Sequence, residues 1–173
     1  MPNYAVKNVK SFMGLDMPGY NATLYCDGKA VALVINDGGG GETDIQWKDY
    51  DSPRIDVPWK NSKGEAFNIR CTPLEAQLYE HIRGKTWKCE ELNFEGDMDP
   101  ETFVGQLVDQ FEQEKTHKRW IKNQTVFRLK DQTEGEFRTL KMPFCKKAKD
   151  YIVNKYGDNV DYILNEKYGQ QAL

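Results

Sequence analysis

Four consecutive glycines, Gly38 to Gly41, are the residues of this chain best suited by type to holding a phosphate. Glycines can turn backbone N–H groups toward an anion, but phosphate-binding loops of the known motifs lead into a helix. Here the run leads to Glu42-Thr43-Asp44 and a strand-like segment, which favours a flexible hairpin loop. The alternative is a nucleotide-sequestering ligand loop built from Tyr20, Gly39, Gly40 and Trp47.

Nucleophiles and metal ligands follow no recognisable pattern. Cys145 and His117 suit a catalytic dyad by type, but no orienting partner is evident and no serine lies in a nucleophile elbow. The four cysteines are separated by 45, 18 and 56 residues. Metal sites instead place ligands in pairs about two to four residues apart. We therefore expect four unpaired cysteines buried as small hydrophobes, no cofactor, no metal and no enzymatic activity.

The charges of the chain are arranged in blocks. Nine acids and no Lys or Arg lie between Cys89 and Glu114, and eleven bases against three acids lie between Lys115 and Lys149. A net charge of −9 is thus followed by one of +8. A one-signed surface acts over about 8–10 Å and selects partners by charge. We expect one acidic helix face to bind a basic groove of a partner, through Glu101, Asp109 and Glu112.

The basic block supports an alternative partner, nucleic acid. Bases interleaved with an aromatic residue suit phosphate neutralisation and base stacking. The candidate residues for nucleic-acid binding are Lys118, Arg119, Trp120, Arg128 and Lys130. The isoelectric point of about 5.5 argues against this role, because dedicated binders are usually basic. A further interpretation is that the two blocks pack together and neutralise each other.

Asp27-Gly28 is the clearest signal of local structure. Asp-Gly between alternating segments predicts a β-hairpin with a two-residue type I′ turn. Counting outward from that turn pairs Leu24 with Val31, and it directs one apolar set toward the core. That set is Tyr20, Ala22, Leu24, Cys26, Val31, Leu33 and Ile35.

Further segments predict the remaining elements. The stretches 4–12 and 43–48 add strands to the hairpin, with Tyr4, Val6 and Phe12 directed inward. Residues 49–64 are expected to form a surface loop, and 67–71 another strand. Helices are predicted to start at Thr72 and at Asp99-Pro100, because each pairs a capping residue with proline at the first helical position.

A second hairpin and two helices are predicted for the C-terminal part. The hairpin joins 125–130 to 136–142 across a turn rich in polar residues. A helix then starts at Pro143, buries Phe144, Ala148, Tyr151 and Ile152, and ends at Gly157. Asp158 caps a last short helix that holds Val160, Ile163, Leu164 and Tyr168.

The expected fold class is α+β, in a single domain over residues 1–173. It comprises an N-terminal antiparallel β-meander, central helices, a second β-hairpin and a C-terminal helix pair. Within this domain we expect a sheet-rich part, 1–71, and a part that mixes helices with a hairpin, 72–173. No apolar run reaches the roughly 20 residues of a membrane span and no signal peptide is evident, so we expect a cytoplasmic protein with no membrane partner.

Two stretches carry a resemblance to a known group. They are the segment from Tyr20 through Asp27-Gly28-Lys29 to the Gly38–Gly41 loop, and Thr125–Leu129 with Phe137–Leu140. Both resemble small accessory proteins carried by bacteriophages, over roughly half of the chain. The resemblance implies a protein that binds and disables a host protein or ribonucleoprotein complex in the host cytoplasm. The specific expectation is inhibition of a host defence complex, with an anti-CRISPR role, through charged surfaces.

Overall fold

The protein has an α+β fold, as the sequence predicts. A computed structural model describes residues 2–89 and 93–172. The chain divides into two compact units, Met1–Phe111 and Glu112–Leu173. The predicted single domain over 1–173 stays a prediction.

The first unit is built on a four-stranded antiparallel sheet. Its strands are β1 (Tyr4–Met13), β2 (Pro18–Cys26), β3 (Lys29–Asn36) and β4 (Asp44–Trp47), in the order β1-β2-β3-β4. This order confirms the predicted meander. Asp27 and Gly28 have φ angles of 48° and 80°, so both turn positions adopt the positive φ that a type I′ turn requires.

The predicted hairpin register is correct at the turn and wrong beyond it. Cys26 pairs with Lys29, but Leu24 lies opposite Ala32, because Val31 is an extra residue in β3. Such a bulge shifts every later pair by one residue and reverses the faces. Val34 is therefore fully buried, whereas Leu33, which was predicted to face the core, is 43% exposed.

Two other expectations for this sheet are also corrected. Ile35 is only partly buried and lies opposite Asn21, not Tyr20. Tyr4 and Val6 are buried as predicted, whereas Phe12 is 42% exposed. A second bulge, near Asn8 with φ 56°, separates the inward residues of β1 from its exposed end.

Residues 49–64 are not the predicted surface loop. They contain strand β5 (Ile55–Lys60), which pairs antiparallel with β6 (Ala66–Cys71). Val57 and Trp59 are buried, so the segment alternates as a strand despite its prolines. Pro58 is tolerated because its position in the ladder turns the missing N–H away from the partner strand.

The predicted helix starts of the first unit are confirmed. Helix α1 (Pro73–Ile82) begins with the capping box of Thr72 and Glu75. Strands β7 (Thr86–Cys89) and β8 (Phe94–Asp97) form a short hairpin before α2 (Pro100–Trp120). Asp99 caps α2, since its side chain accepts a hydrogen bond from the Thr102 N–H at 2.8 Å.

One core joins the sheet and both helices in this unit. Leu24 from the sheet, Leu78 from α1 and Val104 from α2 are fully buried in it. Burying one leucine side chain contributes about 1.5–3 kcal/mol. The apolar face of α2, which carries Val104 and Val108, is thus the face that meets the sheet core.

The second unit is a three-stranded antiparallel sheet with helices. Strands β9 (Thr125–Leu129) and β10 (Arg138–Leu140) form the predicted second hairpin. After α3 (Lys146–Tyr156) and a single turn of 3₁₀ helix (Gly157–Asn159) comes β11 (Val160–Ile163). It pairs with β9, and α4 (Leu164–Lys167) ends the elements. The sheet order is β10-β9-β11.

Three C-terminal expectations are corrected. Helix α3 begins at Lys146 rather than Pro143, and Tyr151 is 46% exposed rather than buried. The predicted last helix begins as strand β11. Strand β9 is buried on both faces and needs a partner on its second edge, and residues 160–163 supply it.

All four cysteines are free thiols. Cys71 is fully buried in the first unit, as predicted for a small hydrophobe. Cys26, Cys89 and Cys145 are only partly buried, so the prediction of four buried cysteines is wrong for these three.

Candidate binding cleft in the first unit

A cleft of about 350 Å³ opens beside the outer edge of β4, where the two helices of the first unit begin. Its polar character follows from local sequence, because Glu75 and Glu101 lie in the first turns of α1 and α2 and Asp99 caps α2. Carboxylates are favoured at these positions, since helix N-termini carry partial positive charge. The lining residues are Thr43, Ile45, Trp47, Arg54, Glu75, Tyr79, Asp99, Pro100 and Glu101.

Glu101 joins α2 to the start of β4. Its Oε2 accepts a hydrogen bond from the backbone N–H of Thr43 at 2.8 Å. A bond between an ionised carboxylate and an N–H is stronger than a neutral one. The contact therefore holds the helix start against the sheet edge and places its carboxylate in the cleft.

Glu75 has two roles at the start of α1. Its side chain accepts from the Thr72 N–H at 3.4 Å, and the Glu75 N–H donates to Thr72 Oγ1 at 3.2 Å. Its Oε2 also lies 3.5 Å from Arg54 Nη1. Burial raises the pKa of Glu75 above its usual value, and the bond from Thr72 and the charge of Arg54 oppose that rise.

Asp49 lies close to the same helix start. Its Oδ2 accepts from the Leu74 N–H at 2.8 Å. Its Oδ1 is buried and has no hydrogen-bond partner among residues 2–89 and 93–172. Asp49 thus adds a negative charge behind Glu75, and this charge contributes to the raised pKa of Glu75.

Tyr79 supplies a neutral hydrogen-bonding group. Burial, followed by the charge of Glu75, raises the pKa of Tyr79 to about 12. The phenol therefore keeps its proton at neutral pH. With three carboxylates and the one guanidinium of Arg54 in its lining, the cleft has a net negative charge that attracts cations.

A second cavity of about 400 Å³ lies along the same strand edge. It shares Ile45, Trp47 and Arg54 with the acidic cleft. Its other lining residues are Gln46, Tyr50 and Thr72. Because Ile45, Trp47 and Tyr50 dominate it, this cavity is the more apolar of the two.

The predicted acidic residues are not all in one place. Glu101 lies in the cleft, and Asp109 is exposed further along α2, where partial desolvation raises its pKa. Glu112 belongs to the second unit and lies 3.2 Å from Lys115. Glu90 and Glu91 of the acidic block lie outside the described residues.

The predicted nucleic-acid residues are spread over the second unit. Lys118 pairs with Glu114 at 3.1 Å, and Arg128 lies 3.8 Å from Asp161. Trp120 is half-buried in an aromatic cluster with His117 and Phe137. Arg119 and Lys130 are exposed at the surface.

The predicted ligand-loop residues separate into two groups. Trp47 lines the cleft together with Glu101, a residue predicted for a different role. Burial raises the pKa of Tyr20, a side-chain hydrogen bond with Thr43 opposes this rise, and the charges of Asp109 and Glu101 add to it. Gly39 and Gly40 are exposed, and the Gly39 N–H donates to Asp37 Oδ1 at 2.8 Å.

Sequence reasoning missed Arg54, Glu75, Tyr79 and Asp99 as site residues. The signals for two of them were present, since Glu75 and Asp99 belong to the capping patterns that predict the helix starts. Each pattern by itself indicates only local structure. Their meeting at β4 is a tertiary property.

In the described parts of the chain, no helix is both long and apolar enough to cross a membrane. Across the same residues, no three His, Cys, Asp or Glu side chains come together as a metal-binding group. Comparison with protein-family models, curated proteins and solved structures found no match to this chain.

Proposed function

We propose that the protein is a non-enzymatic binding protein that inhibits a host defence complex, with an anti-CRISPR role as the specific case. One observation carries the binding part of this proposal. Three carboxylates against one guanidinium line a cleft that two helix starts and a sheet edge hold in place. The host-defence part rests on the resemblance to phage accessory proteins.

The charge of the cleft points to a basic partner. Protein complexes that handle nucleic acid carry lysine and arginine along their grooves to neutralise phosphates. An acidic surface competes for such a groove, because charge complementarity accelerates association and excludes partners of like charge. The partner is then a protein or ribonucleoprotein complex of the host cytoplasm.

A phage-plating assay tests this function. The protein is expressed in a bacterium whose CRISPR system targets an infecting phage, and the efficiency of plating is measured. We expect the wild type to restore plaques by several orders of magnitude. An unchanged efficiency with well-expressed protein, in strains covering the major CRISPR types, would refute the anti-CRISPR role.

Isosteric variants test the site. The triple variant Glu75→Gln, Asp99→Asn and Glu101→Gln removes three charges and keeps one amide oxygen at each position to accept the backbone N–H bond. We expect it to lose inhibition. The matched control neutralises three exposed acids of the second unit, by Glu134→Gln, Asp150→Asn and Asp158→Asn, and should inhibit like the wild type.

Nucleic-acid binding is the second candidate, and one observation in the second unit favours it. Lys155 Nζ lies 5.3 Å from the ring centres of Tyr151 and Tyr156, and the guanidinium carbon of Arg138 lies 5.5 Å from that of Tyr156. A base can stack on the exposed ring of Tyr151 while these cations contact phosphates. Fluorescence anisotropy with a labelled single strand tests it, and phosphate contacts require an affinity that falls steeply with salt.

The nucleotide-sequestering alternative is the least favoured by charge. A nucleotide beside Trp47 would place its phosphates among the carboxylates of Glu75, Asp99 and Glu101. Like charges in one cleft repel, and this repulsion opposes binding. Calorimetry with cyclic nucleotides measures this directly, and we expect no heat of binding.

A further inference from the structure

Strand β4 has one free edge. The sheet order places β3 on one side of β4 and, among the described residues, no strand on the other. The Lys48 N–H donates to the Val31 carbonyl at 2.9 Å, so the backbone groups of Lys48 point toward β3. In an antiparallel ladder the neighbouring positions point away from the partner strand. The N–H and C=O groups of Ile45 and Trp47 therefore point outward from the sheet.

One outward backbone group at this edge has a side-chain hydrogen-bond acceptor in place of a neighbouring strand. The Thr43 N–H also points outward, and the Glu101 carboxylate takes the place of a strand partner for it. The outward backbone groups of Ile45 and Trp47 have no hydrogen-bond partner within residues 2–89 and 93–172. An edge with unpaired groups is a template for pairing with another chain.

There is room beside these groups for a further strand. Both the acidic cleft and the apolar cavity are lined by Ile45 and Trp47, with volumes of about 350 and 400 Å³. An added strand lies only about 4.8 Å from its neighbour. The two cavities together follow the edge of β4, so one extended segment can enter both.

We propose that an extended basic segment of a partner protein docks here as a fifth strand, paired with the outward groups of Ile45 and Trp47. Recognition of this kind draws affinity from main-chain hydrogen bonds and specificity from pockets for alternate side chains. Lysine or arginine side chains of the segment meet Glu75, Asp99 and Glu101, and apolar side chains meet Tyr50 in the second cavity. The inference rests on the proposed function, since it names the partner chemistry of the same cleft.

Arg54 controls access to this edge. Its side chain lines both cavities, is 45% exposed, and lies 3.5 Å from Glu75. A basic segment competes with this guanidinium for the same carboxylate. Arg54→Met removes the competing charge and keeps most of the aliphatic stem, so the variant should bind a basic segment more tightly than the wild type. A residue with a purely structural role would not give tighter binding when replaced.

Hydrogen exchange on the ¹⁵N-labelled full chain tests the docking. The probe is a capped peptide of alternating lysine and valine, seven residues long, and the matched control replaces each lysine by glutamate. We expect the lysine peptide to slow exchange of the Ile45 and Trp47 amides by about tenfold or more, as new strand pairing requires. The glutamate peptide should leave both amides unchanged.

Two further controls separate strand pairing from charge attraction. N-methylation of alternate amides in the lysine peptide removes the N–H donors along one edge of that peptide and keeps all of its side chains. If the peptide pairs with β4 through this edge, its binding should weaken by about tenfold or more. The Asp27 N–H donates to the Asn3 carbonyl, so the backbone groups of Asn3 point toward β2. By alternation along β1, the Tyr4 and Val6 amides point away from β2, at the outer edge of β1. They should show no added protection.

The outcomes are distinct from those of the plating assay. Unchanged exchange at Ile45 and Trp47 with saturating lysine peptide overturns the docking inference, as does equal binding by the N-methylated peptide. Equal protection of the β1 edge overturns it as well. Specific protection at β4 together with no effect on plating would keep the docking site and refute the host-defence function.

Discussion

The side chain of Glu101 accepts a hydrogen bond from the backbone N–H of Thr43 at 2.8 Å, across 58 residues of sequence. This contact satisfies an outward N–H at the start of β4 and anchors the first turn of α2. The same carboxylate lines the acidic cleft. Glu101 thus connects the stability of the first unit to the charge of its candidate site.

Replacing Glu101 by alanine should therefore destabilise the protein. The variant leaves the Thr43 N–H without its acceptor, and a lost bond to a charged group costs about 1.5–3 kcal/mol. Glu101→Gln keeps an acceptor oxygen and should cost less than half as much. Urea denaturation of both variants measures the difference, and equal losses would show that the hydrogen bond contributes nothing.

The bulge at Val31 predicts a sharp contrast between two leucines. Leu24 is fully buried, and Leu24→Ala should cost about 2–4 kcal/mol of unfolding free energy. Leu33 is 43% exposed, and Leu33→Ala should cost less than about 1 kcal/mol. The register counted from the turn alone would make both substitutions costly, so the pair of denaturation curves distinguishes the two registers.

Asn165 should be one of the most sensitive polar positions of the second unit. It is fully buried, its Oδ1 accepts from the Val126 N–H at 2.8 Å, and its Nδ2 donates to the Gln124 carbonyl at 3.0 Å. Leucine is similar in volume to asparagine, but Asn165→Leu leaves the Val126 N–H and the Gln124 carbonyl without their partner. Each buried group left unsatisfied costs about 1–3 kcal/mol. Thermal unfolding checks this. A midpoint equal to that of the wild type would contradict the network.

Acid should destabilise the protein through His117. Burial is the main cause that lowers the pKa of His117 below its ordinary value of 6.5, with the charge of Lys167 second. The unfolded state therefore binds more protons than the folded state below that value, so stability is present above about pH 6.5 and is lost as the pH falls. His81, whose pKa is also lowered, adds a contribution of the same sign.

The pH effect can be assigned by substitution. His117→Gln should flatten the dependence of unfolding free energy on pH between about 7 and 5, because it removes one proton-linked group. Urea denaturation at several pH values provides the measurement. A slope equal to that of the wild type would show that His117 titrates alike in both states.

Local sequence determined the turns and helix starts. Asp27-Gly28 specifies the turn because its residues tolerate positive φ, and Thr72 and Asp99 specify helix starts because their side chains bond to N–H groups within three residues. Each of these interactions closes within a few residues. No knowledge of the rest of the fold is needed to predict them.

Tertiary structure decided the register and the identity of the last elements. Both registers of the hairpin satisfy the turn, and only packing against the core selects the bulge that buries Val34 and exposes Leu33. Residues 160–163 form a strand because β9, more than 30 residues earlier, needs a partner on its second edge. Propensity over a short window contains no information about such a partner.

The candidate site shows the same division. The sequence by itself determined that carboxylates lie at the starts of α1 and α2, since capping chemistry requires Glu75 and Asp99 there. Only the tertiary structure decided that both starts open beside the outer edge of β4, where Arg54 lines both cavities and lies 3.5 Å from Glu75. The physical reason is burial: the apolar faces of both helices pack against one side of the sheet, and that packing brings the capping carboxylates of both helices together.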